Sequence, residues 1–395
     1  MSDVNNSSLH EAFDNLNARY ASALLPLSII FGFLAFAGLV GNTIALIVFS
    51  LSPEYNRSNF KVFAVFLGGI DLVTCITIIP AEIAKHRHYF AFEDGAVCKV
   101  KCFLNVFGSG ASALTLLLIS VERFRRVCKP FSVQLRTRLV IRICFVLIVF
   151  ALLLACPAAV MCGIEEAPMT NLQGESTKVY VCSADEKYKF SVWRSIYKVT
   201  IVLLLGAVSV TCIVMYMFVG RTIFRSRDRL MSSNSFRMRG TTAEENADLK
   251  KGKKAENQND IEPNGLDAVK GTNTRRSSIV GWIINETRRK LSSQSTGSER
   301  IGRFPYKTII WFILTIIFIV TYVLYAALAF NPYVIINLSP RLLTLYLFFF
   351  RLYIINSVIN PLIYALLDSR FRRSCKRLLH DRFFLDRYYD SPRSP

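Results

Sequence analysis

Residues 25–51 read LPLSIIFGFLAFAGLVGNTIALIVFSL, a run without a single formal charge. A bilayer's hydrocarbon core needs about 20 apolar residues in a helix. A helix lying on a soluble core would carry a polar stripe at helical spacing, and this run carries none. It reads as a membrane span. Working outward, six further nearly uncharged runs follow at 60–84, 96–127, 139–161, 192–224, 305–330 and 342–367. The sequence therefore predicts an all-α membrane protein, a bundle of seven transmembrane helices. The third, fifth and seventh runs exceed what a bilayer requires, which predicts tilt or ends that project into water.

Lys and Arg near the span ends set the orientation. Arg125, Arg126, Lys129, Arg136 and Arg138 follow span 3, Arg221 and Arg225 follow span 5, and Arg370, Arg372, Arg373, Lys376 and Arg377 follow span 7. The N-terminus is thus expected outside and the C-terminus inside. The net charge of +20 is the sum of this inner-face bias, and no basic, aromatic-interleaved patch predicts a nucleic-acid partner. No charged segment precedes an apolar one at the start, so the first span is expected to act as the insertion signal.

The predicted organisation is an extracellular tail at 1–22, helices one to five at 23–224, a disordered cytoplasmic loop at 225–303, helices six and seven at 304–367, and an interfacial helix with a cytoplasmic tail at 368–395. Asn5 and Asn6 stand in Asn-x-Ser frames and are glycosylation candidates. The loop is polar and short of aromatics, a composition that cannot bury enough surface to fold alone. In it Ser277, Ser278 and Ser292 follow basic pairs and are phosphorylation candidates. After span 7, Phe371, Cys375, Leu378 and Leu379 recur at helical spacing between basic residues, which predicts a short amphipathic helix in the membrane interface. Cys375 on its apolar side is a lipidation candidate, or a plain buried thiol.

Polar residues inside spans are costly unless paired or functional. Gly41-Asn42 lies in span 1, Asp71 in span 2, and Ser112 in span 3, which ends in Glu122-Arg123-Phe124. Span 7 carries Asn356, Ser357, Asn360, Pro361 and Tyr364. Each alone could be helix-packing glue. Together, in this order, they resemble the rhodopsin-like (class A) G-protein-coupled receptors. The signatures are Gly41-Asn42, Leu67 with Asp71, Glu122-Arg123-Phe124 and Asn360-Pro361-Leu362-Ile363-Tyr364, and the resemblance covers nearly the whole chain.

That resemblance implies a receptor and not an enzyme: a multi-pass plasma-membrane protein with an extracellular ligand and a heterotrimeric G protein as partners, and kinases and arrestin on the inner side. It implies that Arg123 is a switch held by Glu122 at rest, and that Tyr216 and Tyr364 swing inward on activation. Pro130-Phe131 would meet the G protein. Asp71, Ser112, Asn356, Ser357 and Asn360 would hold a sodium ion, the alternative being a protonated Asp71 with no ion. Cys98 would bridge to Cys182, with Cys102 and Cys162 as further candidates whose connectivity stays open.

The chain also departs from the family pattern. Span 4 lacks the usual Trp, Val208 stands where a proline is usual, and span 6 reads Phe318-Ile319-Val320-Thr321-Tyr322-Val323-Leu324-Tyr325 without Trp or Pro. Tyr322 would stand in for the missing Trp. Span 6 offers no acid to Arg123, which implies a weaker resting lock. Ile354 replaces the retinal lysine and Asn105 the aminergic aspartate, which argues against retinal and amines. Glu82, Asn105, Tyr322 and Tyr325 are ligand-site candidates, Glu82 as a receiver of cations. The alternating Thr177–Cys182 segment predicts a hairpin strand, a feature that in the family often accompanies peptide ligands. A neuropeptide is therefore the favoured ligand, a small non-peptide molecule the alternative. A seven-span transporter or channel would need interrupted spans or several mid-membrane charges, and span 2's Asp71 stands alone at mid-depth.

Overall fold

The computed structural model describes residues 2–56, 58–170, 176–255, 306–329 and 338–389. The chain divides into two units, Met1–Met217 with Tyr306–Pro395, and Phe218–Pro305. The first holds helices α1 (Ser2–Leu51), α2 (Asn59–Arg87), α3 (Gly95–Cys128), α4 (Thr137–Met161), the start of α5 (Val192–Ala255), α6 (Tyr306–Ala329) and α7. Helix α7 comes in two pieces, Pro340–Phe350 and Leu352–Leu367, bent by 43°. Among the described residues six helices are long and apolar enough to cross a membrane, and the bent pair makes a seventh. Outward side chains such as Phe33, at 72% exposure, are apolar, as a lipid-facing surface requires.

Two helices run on beyond the predicted spans. Helix α1 starts at Ser2 and so includes the stretch 1–22 expected as an extracellular tail; Asn5 and Asn6 fall on its first turns, their side chains outside the described set. In the second unit the described residues continue α5 to Ala255, past the boundary at 224. Residues 225–255 contain no proline and many Arg, Lys, Ala, Glu and Met, which sustain a helix. The rest of that loop, with Ser277, Ser278 and Ser292, lies outside the described residues.

Local chemistry explains the irregular turns. Pro361 has no N–H to give the carbonyl of Ser357 four residues earlier. The Asn42 side-chain amide donates to that carbonyl instead, at 2.7 Å, and to Gly38 O at 2.9 Å. A side chain on Gly41 would meet the Pro361 ring at 3.1 Å, so glycine is what lets α1 and α7 close up there. In α2, Thr74–Ile78 widens to a π turn just before Pro80, as a helix does when a proline removes one rung of its ladder.

Strands β1 (Cys162–Thr170) and β2 (Ser176–Ala184) form an antiparallel hairpin with Ile164 opposite Cys182, the strand expected from 177–182. Both strands are fastened to α3. Cys98 is bonded to Cys182 and Cys102 to Cys162, with Cα separations of 5.6 and 6.4 Å. The two α3 cysteines are one helical turn apart, so they clamp the hairpin from the same helix face.

At the opposite end α8 (Ser369–Tyr389) begins at a buried Asp368. Its carboxylate accepts from the backbone N–H of Arg370 at 2.9 Å and from the Tyr55 hydroxyl at 2.8 Å, an N-cap that also ties the junction to the loop after α1. Phe371 is buried and Cys375 and Leu378 pack against the core, while Arg372, Arg373, Lys376 and Arg377 face out. The amphipathic reading of α8 holds in its geometry.

Candidate functional site: a cavity and a buried arginine

Between the hairpin and the helix ends lies a cavity of 720 Å³. Asn105, Tyr322 and Tyr325, three of the four ligand-site candidates, line it. The fourth does not. Glu82 is 1% exposed and sits behind the wall, 3.0 Å from Lys101 Nζ and 3.0 Å from Arg351 NH2. It cannot await a ligand's cation because two cations of the chain already hold it. Neither Lys101 nor Arg351 stands out in the sequence as its partner. A carboxylate and two cations near one membrane face were the available signal, but three separate spans carry them and sequence does not align their depths.

At the cavity floor two hydrogen-bonded sets meet through a ring contact. Arg351 NH1 donates to the Tyr353 hydroxyl at 3.1 Å, and that hydroxyl donates to Asn105 Oδ1 at 2.7 Å. The Tyr353 ring lies 5.4 Å from that of Tyr322, whose hydroxyl donates to Ser109 Oγ at 2.7 Å. Tyr322 in turn packs on Phe318 at 4.4 Å. It occupies the point where cavity contacts pass into the middle of α6.

Below this, the Asn360 amide donates to the buried Asp71 carboxylate, and the Ser357 hydroxyl bonds it as well. Asn356 donates instead to Thr321 Oγ1 at 2.8 Å. Of the residues expected around an ion, Ser357 and Asn360 therefore meet Asp71 directly, and Asn356 faces α6. Asp71 and Ser357 both offer oxygen, and both are buried.

At the far end Glu122 pairs with Arg123 and, at 2.7 Å, with Arg126. Asn59 donates to Glu122 at 3.3 Å and to Leu135 O at 3.0 Å, and accepts from Thr137 at 2.9 Å. Arg123 is 4% exposed with its Nε unpartnered. Tyr216 is buried near it with its hydroxyl beside Thr315, and the Tyr364 hydroxyl has no hydrogen-bond partner among the described residues. Phe124 lies under the Lys129 ammonium at 5.8 Å, and in the next loop Pro130 is exposed and Phe131 fully so.

The lock missed by sequence is aromatic. Trp311 on α6 is fully buried, 5.1 Å from Phe60, 6.2 Å from Phe63 and 6.1 Å from Tyr364 by ring centroids. This cluster packs α6 against α2 and α7 at the end of the bundle where span 6 offers Arg123 no acid.

The sequence profile of the 7 transmembrane receptor (rhodopsin family) matches residues 41–364. The chain is 29% identical over 147 residues to neuropeptide FF receptor 1 of Rattus norvegicus, covering 36% of this chain and 34% of that one. It is 27% identical over 158 residues to the neuromedin U receptor homolog nmur-2 of Caenorhabditis elegans, 38% of each. Over 129 residues it is 33% identical to the allatostatin-A receptor of Bombyx mori, 32% of this chain and 35% of that one. The chain thus spans little more than a third of the length of the curated relatives it matches.

Proposed function

Because this chain belongs to the rhodopsin family of seven-transmembrane receptors, we propose that it converts binding of an extracellular peptide into nucleotide exchange on a heterotrimeric G protein. The observation that carries this reading is the pairing of two features in one bundle: a cavity whose floor is wired to Tyr322 on α6, and a buried Glu122–Arg123 pair at the other end. The protein sits in the plasma membrane with its hairpin face outside, in keeping with the positive bias of the opposite ends. The names of similar proteins, receptors for neuropeptide FF, neuromedin U and allatostatin-A, support a peptide ligand.

The physical cycle follows. At rest the Trp311 cluster keeps α6 against α2 and α7, and Glu122 holds Arg123. A ligand that contacts Tyr322, Tyr325 and Asn105 shifts the equilibrium only as far as its affinity differs between the two arrangements. Outward movement of α6 would free Arg123, let Tyr216 and Tyr364 turn their hydroxyls inward, and open a recess beside Phe131 for the G protein. A cation at Asp71 and Ser357 would favour the resting arrangement. Kinases and arrestin act on the inner face, and Cys375 on α8 is the candidate for acylation.

The test is a screen of peptide and amine pools in cells reporting both calcium and cyclic AMP. A response to a peptide, lost in Arg123→Ala, is expected. Responses confined to amines would overturn the peptide assignment while leaving the receptor class.

A further inference from the structure

We propose that the cavity receives an anionic group, foremost a carboxylate, among Arg351, Lys85, Arg194 and Lys198; this rests on the reading that the cavity is the ligand site. Five cationic side chains line it, Lys85, Lys189, Arg194, Lys198 and Arg351, against one carboxylate, Glu165. Lys189 lies 3.6 Å from Glu165 and 3.7 Å from Glu186, so that pair is closed. Glu82 stands outside the lining, and its single charge is divided between Lys101 and Arg351, both on the same oxygen. One charge of that buried triad is therefore uncompensated, and the Arg351 Nε has no hydrogen-bond partner.

The other cations are equally open. Lys85, one turn beyond Glu82, donates to the Cys182 carbonyl at 3.0 Å and lies 5.8 Å over the Tyr89 ring, contacts that hold an ammonium without neutralising it. Arg194 and Lys198 are four residues apart on α5, hence on one face, and neither makes an ion pair among the described residues. Lys85 and Arg351 repel each other at one side of the cavity and Arg194 and Lys198 at the other, where Glu165 offsets them in part, and an anion beside either pair relieves that repulsion. A guanidinium presents a planar fork that matches a carboxylate. Deeper lining is apolar and aromatic, with Val106, Ile201, Leu205 and Ile319, so the acid belongs to a ligand with an apolar body. Two sources share this chemistry: an acidic terminus or side chain of a peptide, and a small carboxylic acid with an apolar tail.

The experiment uses the whole receptor in lipid nanodiscs and reads its thermal unfolding midpoint. Probes are N-acetylated tetrapeptide pools without Asp or Glu, ending in carboxylate or in amide; amidated pools that contain Asp and Glu; and 4-phenylbutyrate with 4-phenylbutanamide. Acid-bearing probes are expected to raise the midpoint at concentrations at least tenfold below their neutral counterparts, and the peptide and butyrate arms tell which source fits. In Arg194→Gln/Lys198→Gln that preference should fall tenfold or more; the single variant Lys198→Gln, an exposed side chain, carries the same test should the double variant not reach the surface. Neutral and acid probes acting equally would overturn the anion assignment and leave the ligand site standing. An acid preference intact in those variants and in Arg351→Gln would also overturn it. No stabilisation by any probe would overturn both.

Discussion

Glu82 balances Lys101 and Arg351 with one carboxylate, and all three are buried. Glu82→Gln strands both cations, a change that typically costs about 3–5 kcal/mol for a buried pair. We predict poor surface delivery and a lower melting midpoint, partly restored by adding Lys101→Met; a Glu82→Gln receptor that melts like the unmodified one would show the triad to be structurally idle. Asp71 makes a second test at this scale. Raising sodium against an impermeant organic cation at fixed ionic strength should lower agonist affinity, because a cation favouring the resting form opposes agonist by linkage. Asp71→Asn should abolish that dependence, and indifference of the unmodified receptor to sodium would leave Asp71 as a hydrogen-bonded switch. Asp71, Asn360 and Arg123 were legible in the sequence because a polar residue in an apolar run announces itself. The partner of Glu82 was not, since which charges share a depth is decided by tilt and packing.

Trp311 shows the same limit at the scale of an element. In a sequence it is one more apolar residue of span 6, and only the packed bundle brings it between Phe60, Phe63 and Tyr364. Trp311→Ala removes the contact that holds α6 in, and we predict raised ligand-independent signalling at equal surface expression; unchanged basal signalling would assign the lock elsewhere. The hairpin offers a parallel test. Each of its strands has its own bridge to α3, and loss of a native disulfide typically costs about 2–5 kcal/mol. Cys98→Ala and Cys102→Ala should each impair delivery, and Cys102→Ala with Cys162→Ala should loosen β1 while sparing the Cys98–Cys182 bridge. Normal ligand affinity in that pair would mean that the second bridge does not shape the cavity. Spans and the hairpin strand were readable from hydropathy and alternation. The continuation of α5 to Ala255 was not, because helix propensity without an apolar face leaves no periodic signal.

Across the whole molecule, the residues at the cavity floor reach Tyr322 and Phe318 on α6, the same helix that carries Trp311 in its aromatic cluster, and Arg123 lies buried at the other end. Under the proposed function ligand and G protein favour the same arrangement, so each must tighten the other. The central measurement is nucleotide exchange on purified heterotrimeric G proteins of each class, driven by receptor in nanodiscs and a peptide shown to bind it. The peptide is expected to accelerate exchange on at least one class, and Arg123→Ala is expected to bind the peptide yet lose the acceleration. A peptide that occupies the cavity and accelerates exchange on none of them, or one that does so equally well through Arg123→Ala, would contradict the proposed function.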